Sequence, residues 1–200
     1  GDPKVAPEFG DRPLRYALCC SKTTVEAANY RVFAALGIPM AQLIFVGDRR
    51  RNFRLQRAFL ATRFAEGYVD GRDFLPGGRL RGAPEQKAFI DRNLAYVAQL
   101  HRRHCFHGGL RVFNFLWKPL GDGGIDIVWI DVASCRFLRL PKFLFVRYIV
   151  RDFANFFHDL ELSDTELREA LENYLRHNPS CAMSLDRLFP AVKAAAARAR

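Results

Sequence analysis

The feature that most constrains this chain is a change of hydrophobic period in its middle third. From Glu85 to about Arg103 the apolar residues recur at helical spacing. Ile90, Leu94, Val97 and His101 form one stripe, and Phe89, Asn93 and Leu100 widen it. The basic run "HRRH" at the end of this segment complements a helix dipole. After it the pattern becomes that of short strands: the loop "CFHGGLRVFN", the run "FNFLW", the turn "PLGDGG" and the run "IDIVWIDV". Two apolar runs joined by a glycine-rich turn predict a hairpin. A long one-faced helix beside a small hairpin must bury both apolar surfaces in one core, which predicts an α+β fold.

Around this centre the chain alternates in the same way. The first dozen residues, "GDPKVAPEFGDR", read as a loop. "SKTTVEAANYRVFAALGIP" has Val25, Ala28, Val32, Ala35 and Leu36 at helical spacing, with Ser21 or Thr23 as the cap and Gly37 and Pro39 as the stop. "AQLIFVGD" reads as a strand with its turn at Gly47-Asp48, and "FRLQRAFLATRFA" as its partner. A turn-rich crossing, "EGYVDGRDFLPGGRLRGAP", leads to the long helix. Beyond the second hairpin, helices are predicted over Lys142 to Leu160, after Ser163 (a capping-box pattern with Glu166), and over Ser184 to Arg200.

Composition sets the function classes. Half of the 200 residues are apolar and 18 are Phe, enough for a real core. The formal charge is +10, mostly from arginine, which favours anionic partners and suits planar phosphate recognition. The run Arg49-Arg50-Arg51 is read as a solvated turn or a contact with anionic lipid. The five cysteines, Cys19, Cys20, Cys105, Cys135 and Cys181, are odd in number and contain no CxxC, which fits reduced packing residues rather than a zinc site. No secretory signal and no bilayer-spanning apolar run is evident.

The loop "HGGLRVFN" poses the chemical question. Phosphoryl transfer needs metal on the phosphates, a lysine on the nucleotide and a group that orients the acceptor hydroxyl. In the kinase arrangement a loop supplies an Asp, an Asn follows five residues later, and a hairpin leads to a second Asp. Here Asn114 lies five residues after position 109, a hairpin follows, and Asp131 ends the strand "IVWID". Position 109 itself is Gly.

"LHRRHCFHGGLRVFNFLWKP", "IVWIDVASCRF" and "RDFANFF", with "EAANYRVFAALGIPMAQLIFVG" before them, resemble the lipopolysaccharide kinase family (Kdo/WaaP-like) over roughly residues 14 to 176. The resemblance implies a protein-kinase-like two-lobe α+β fold. Residues 1–70 would form a truncated or incomplete N-lobe, and residues 71–200 a mostly helical C-lobe. It implies ATP and Mg²⁺ as cofactors, with Asn114 and Asp131 as metal ligands. Glu26 would partner the nucleotide lysine, for which Lys4 is the candidate. His107 would brace the loop, and Asp152 would hold the loop backbone from the following helix. A glycine-rich phosphate cover does not occur in these 200 residues.

The resemblance further implies ATP-dependent phosphorylation of an inner-core sugar hydroxyl on a lipid-linked or lipopolysaccharide acceptor. The protein would be cytoplasmic and peripheral to an anionic inner-membrane surface. Gly109, standing where the catalytic Asp is expected, implies impaired transfer; the alternative is a catalytically inactive kinase-like regulator that binds nucleotide or a partner. Nucleic acid is the least expected partner, because no recognised binding motif or aromatic-interleaved basic platform occurs.

Overall fold

Trp129 is the residue around which the layers meet. It is fully buried, and the rings of Phe33, Tyr96, His107 and Phe115 surround it at centroid distances of 6.2, 6.2, 5.7 and 4.8 Å. A computed structural model describes residues 21–121, 124–138 and 142–198 of the chain. Lys4, Cys19, Cys20 and Asp122 lie outside the described residues.

Helix α1 (Lys22–Ala35) begins at Ser21, whose hydroxyl accepts from the Thr24 amide at 3.2 Å. It buries Ala27, Asn29, Tyr30 and Phe33. The stripe expected inward from its apolar spacing is the outward one: Val25, Ala28, Val32 and Ala35 are exposed. Phe33 and Tyr30 decide the matter, because two large rings remove far more apolar surface from water than small aliphatic side chains do.

Strands β1 (Leu43–Arg51) and β2 (Arg54–Thr62) form an antiparallel hairpin. The turn expected at Gly47-Asp48 lies inside β1; the chain reverses at Asn52 and Phe53, both with positive φ. Gly47 lies instead under the tip of the half-exposed Phe59 ring. A Cβ there would come 2.5 Å from the Phe59 ring.

The residues after α1 tie this part of the chain to the central hairpin. Met40 bridges Trp129 in parallel, the Trp129 amide donates to Pro39 O at 2.8 Å, and the Ala41 amide donates to Trp129 O at 3.2 Å. The sheet there has the antiparallel order β3 (Val69–Asp70), β5 (Phe115–Pro119), β6 (Ile125–Trp129). Helix α2 (Pro84–Arg102) begins with Pro at its first turn, and its buried face includes Phe89, Ile90, Asn93, Leu94, Val97, Leu100 and His101, as the spacing predicts.

The carboxy-terminal part is helical. Helix α3 (Lys142–Leu160) packs on α5 (Leu185–Arg198), and α2 packs on α4 (Asp164–His177). The capping box of Ser163 and Glu166 opens α4 as expected. A short ladder, β4 (Cys105–Phe106) with β7 (Arg136–Phe137), closes the loop region. Cys105 and Cys135 are buried and unbridged, and burial pushes the Cys105 thiol up to about 12, so both are packing residues.

Candidate active site

The segment from His107 to Asn114 has little regular structure of its own. Its shape is imposed by two aspartates seven residues apart on α3, a spacing that puts both on one helix face. Asp152 is buried. One of its oxygens accepts from the Gly108 amide at 2.8 Å; the other accepts from the His107 amide at 2.8 Å and lies 3.2 Å from His101 Nε2. At the far end of the loop Asp159 takes the Arg111 guanidinium through both oxygens, at 2.6 and 2.9 Å, and the Val112 amide at 3.3 Å.

Burial alone would raise the Asp152 carboxyl. The hydrogen bond from His101, the neighbouring imidazoles and the Gly108 amide outweigh it and hold the group below its ordinary value. The network continues outward: His101 Nδ1 meets the Tyr174 hydroxyl at 3.0 Å, and Asn178 Nδ2 donates to that hydroxyl at 2.7 Å.

His107 is buried against Trp129 and Phe115. Neither ring nitrogen has a hydrogen-bond partner among the described residues, and burial lowers its pKa. A neutral imidazole that fills space under the loop is the consequence. Asn114 closes the loop from the other side, its Nδ2 donating to Gly109 O at 3.0 Å while its own carbonyl accepts from Ile130 at 2.9 Å. That backbone bond continues the β5–β6 ladder one step past the Phe115–Trp129 pair, so Asn114 and Asp131 emerge at the same end of the hairpin.

Asp131 is exposed, sits at φ 51°, and its carboxylate makes no hydrogen bond or ion pair among the described residues. A non-glycine residue in the left-handed region is uncommon, and such residues cluster at functional sites. Across from it stands α1. Burial, and next the Asp131 charge, raise the carboxyl of half-buried Glu26, while Lys22 one turn away lowers it. The two carboxylates give this face of the site a negative potential that Lys22 offsets only in part.

Of the residues singled out in the sequence, the fold brings Glu26, His107, Gly109, Asn114 and Asp131 together, and Asp152 beneath them. Lys4 is outside the described residues. Sequence reasoning missed Asn29, which fastens α1 to the Asp131 segment, and Tyr30 beside it. Asn29 Nδ2 donates to Val132 O at 2.8 Å, and the Tyr30 hydroxyl lies close enough to Asp131 to feel its charge. Burial and the Glu26 charge push that hydroxyl up to about 12. The signal was present as Glu26, Asn29, Tyr30 and Phe33 at i, i+3, i+4 and i+7, a second helical stripe whose polar members hid it.

At position 109 the backbone is ordinary. The left-handed conformation falls on Gly108, at φ 75°, where a Cβ would also meet Ser134 O at 3.0 Å; at Gly109 the nearest atom to a built Cβ is Ser134 Oγ at 4.0 Å. Gly108 is therefore required by the loop and Gly109 is not. Beside them a cavity of about 140 Å³ is lined by Phe106, Gly108, Ser134, Arg136, Tyr148 and Arg151, among others. No carboxylate among the described residues pairs with either arginine.

The model of the lipopolysaccharide kinase (Kdo/WaaP) family matches residues 11–173. The chain belongs to that family. Among solved structures, "WaaP in complex with acyl carrier protein" is similar with a TM-score of 0.65 at 19% identity, over 88% of this chain and 73% of that one. The protein-kinase-like two-lobe α+β fold expected from the sequence is thus the fold observed. No curated protein matches the sequence.

Proposed function

We propose that this family member is a sugar kinase of the lipopolysaccharide type that transfers phosphate from ATP to a hydroxyl of an inner-core sugar on a lipid-linked acceptor, at a rate lowered by Gly109. The observation that carries it is the emergence of Asn114 and Asp131 at one end of the β5–β6 hairpin, opposite Glu26, over a loop pinned by Asp152 and Asp159. Residues 1–70 would serve the nucleotide, and residues 71–200 would supply the catalytic-type loop, the metal-binding hairpin and the acceptor side.

The donor set fits Mg²⁺. Asn114 spends its amide NH₂ on Gly109, which leaves its carbonyl oxygen for a metal, and the Asp131 carboxylate is unpaired among the described residues. Mg²⁺ needs only one or two protein oxygens when phosphates and waters fill the other positions. So it does not matter that no cluster of three or more His, Cys, Asp or Glu occurs among the described residues. The metal would neutralise charge on the transferring phosphate. The protein's part is positional: Asp131 and Asn114 fix the phosphate end, and Glu26 orients a nucleotide-side lysine, the role proposed for Lys4. Arg136 and Arg151 suit an anionic group of the acceptor, next to the place where its hydroxyl would lie.

Gly109 favours a second reading, a nucleotide-binding regulator without transfer. The metal side of the site would be kept, and the group that positions the acceptor hydroxyl would be gone. Among the described residues no helix is long and apolar enough to cross a membrane. The +10 charge supports peripheral attachment to the cytoplasmic face of an anionic inner membrane.

Titration of ATP with and without Mg²⁺, on the wild type, Asn114→Ala and Asp131→Ala, tests the reading. Mg²⁺-dependent binding weakened at least tenfold in both variants is expected. Binding indifferent to Mg²⁺ and to both substitutions would overturn it.

A further inference from the structure

The β1–β2 hairpin carries features that neither folding nor phosphate transfer uses. Residues 49–57 contain five arginines: Arg49, Arg50, Arg51, Arg54 and Arg57. Asp48 pairs with Arg50 at 3.2 Å, and no carboxylate among the described residues pairs with the other four. The register sets Arg49 opposite Arg57 and Arg51 opposite Arg54. Like charges directly opposed across a ladder destabilise it. Two such pairs in one hairpin leave a concentrated positive charge with no partner carboxylate among the described residues.

The turn is as unusual as the strands. Asn52 and Phe53 have φ of 51° and 63°, the two-residue reversal that prefers Asn-Gly because both central residues lie in the left-handed region. Phe occupies the position that suits Gly. Its side chain is 83% exposed and stacks on no other ring among the described residues, so the fold gains nothing from it. An aromatic side chain held at the apex, ahead of a collar of arginines, has the chemistry of a bilayer interface: a ring for the headgroup–acyl boundary and guanidinium groups for lipid phosphates.

We propose that the β1–β2 hairpin is a lipid-surface anchor, in which Phe53 enters the interface of an anionic bilayer and Arg49, Arg51, Arg54 and Arg57 contact its phosphates. It rests on the proposed peripheral attachment to a membrane and is independent of catalysis. Lipid is favoured over an acidic protein because Phe53 stands at a convex tip, where a bilayer needs no complementary pocket to receive it.

The test places a fluorophore at the apex. Trp117 and Trp129 are 4% and 0% exposed, so they are shielded from lipid, and Phe53→Trp reports the tip against a quiet background. Vesicles of phosphatidylcholine with phosphatidylglycerol, and the same vesicles with brominated acyl chains, are the probes. Trp at position 53 should shift to the blue and be quenched by the brominated chains, with weaker partitioning at high salt. Arg49→Gln with Arg57→Gln should lower partitioning on the order of 25-fold, at roughly fivefold per arginine. Phe53→Ala should lower it further.

Wild-type flotation on anionic vesicles without quenching at position 53 would overturn the hairpin assignment and leave the membrane attachment standing. Failure of the wild type to bind anionic vesicles at low salt would remove both. Polyglutamate shifting the Trp emission as strongly as vesicles would assign the hairpin to an acidic protein and overturn the lipid proposal.

Discussion

Replacing Asp152 by Asn, an almost isosteric change, should cost about as much stability as emptying part of the core. Both carboxylate oxygens accept from N–H donors: Oδ1 from Gly108, Oδ2 from His107 and from the His101 ring. An asparagine has one acceptor oxygen. In its better orientation that oxygen keeps the His107 and His101 partners, and the NH₂ group then faces the Gly108 amide, donor against donor. One hydrogen bond to a charged acceptor is lost, about 1.5–3 kcal/mol, and the two that remain fall from charged to neutral strength, about 1 kcal/mol each. The sum is about 4 kcal/mol, a large share of the 5–15 kcal/mol typical of a folded domain. For a chain of this size that is a fall in Tm of roughly 8–16 °C. Urea unfolding followed by circular dichroism measures it, with the midpoint shifting at constant slope. An Asp152→Asn variant within 0.5 kcal/mol of the wild type would refute the view that this carboxylate holds the loop.

The same groups set an acid limit. His107 is held below its ordinary value of 6.5, so the fold favours its neutral form; this stability is complete above pH 6.5 and is lost as pH falls from there through the folded pKa. Asp152, also lowered, contributes stability that is lost only as pH falls below about 3.8 and through its own folded value. Stability measured against pH should therefore show two acid limbs, and His107→Leu should abolish the upper one; an unchanged upper limb would mean another group titrates there. Asn29→Ala should free the Val132 carbonyl from α1, lowering stability by about 1–3 kcal/mol and weakening Mg²⁺-dependent nucleotide binding along with it. Loss of stability with nucleotide affinity intact would show that α1 does not position Asp131.

The parts of the fold legible in the sequence are those where one local rule dominates. The α2 face, the Ser163–Glu166 capping box and the β5–β6 hairpin each follow from spacing within a dozen residues. The inward face of α1 was misread because period alone does not rank two stripes, and the winning one carries Asn29, whose side chain finds its partners, the Val132 and Cys135 carbonyls, about a hundred positions away. The reversal at Asn52-Phe53 was hidden because Gly47-Asp48 is the better turn by composition. At the site, the loop spacing pointed to Asn114 and Asp131, and Asp152 followed from the family resemblance. Asp159 was invisible, since its only distinction is a position two helical turns after Asp152 and opposite Arg111. That the positive φ belongs to Gly108 and not to Gly109 could come only from coordinates.

Gly109→Asp is the most direct test of the central claim, that the site is a phosphotransferase site lacking one carboxylate. The backbone at 109 accepts a side chain, and Ser134 Oγ at 4.0 Å is the nearest atom to the new Cβ. A positioned carboxylate at an acceptor hydroxyl is worth on the order of 100- to 10,000-fold in rate. The measurement is single-turnover transfer of the ATP γ-phosphate to a lipopolysaccharide acceptor by the wild type, Gly109→Asp and Gly109→Asp with Asp131→Ala. Slow transfer by the wild type, a gain of at least 100-fold in Gly109→Asp and its loss with Asp131→Ala are expected. Rapid transfer by the wild type that Gly109→Asp leaves unchanged would contradict the account, because some other group would then be positioning the hydroxyl.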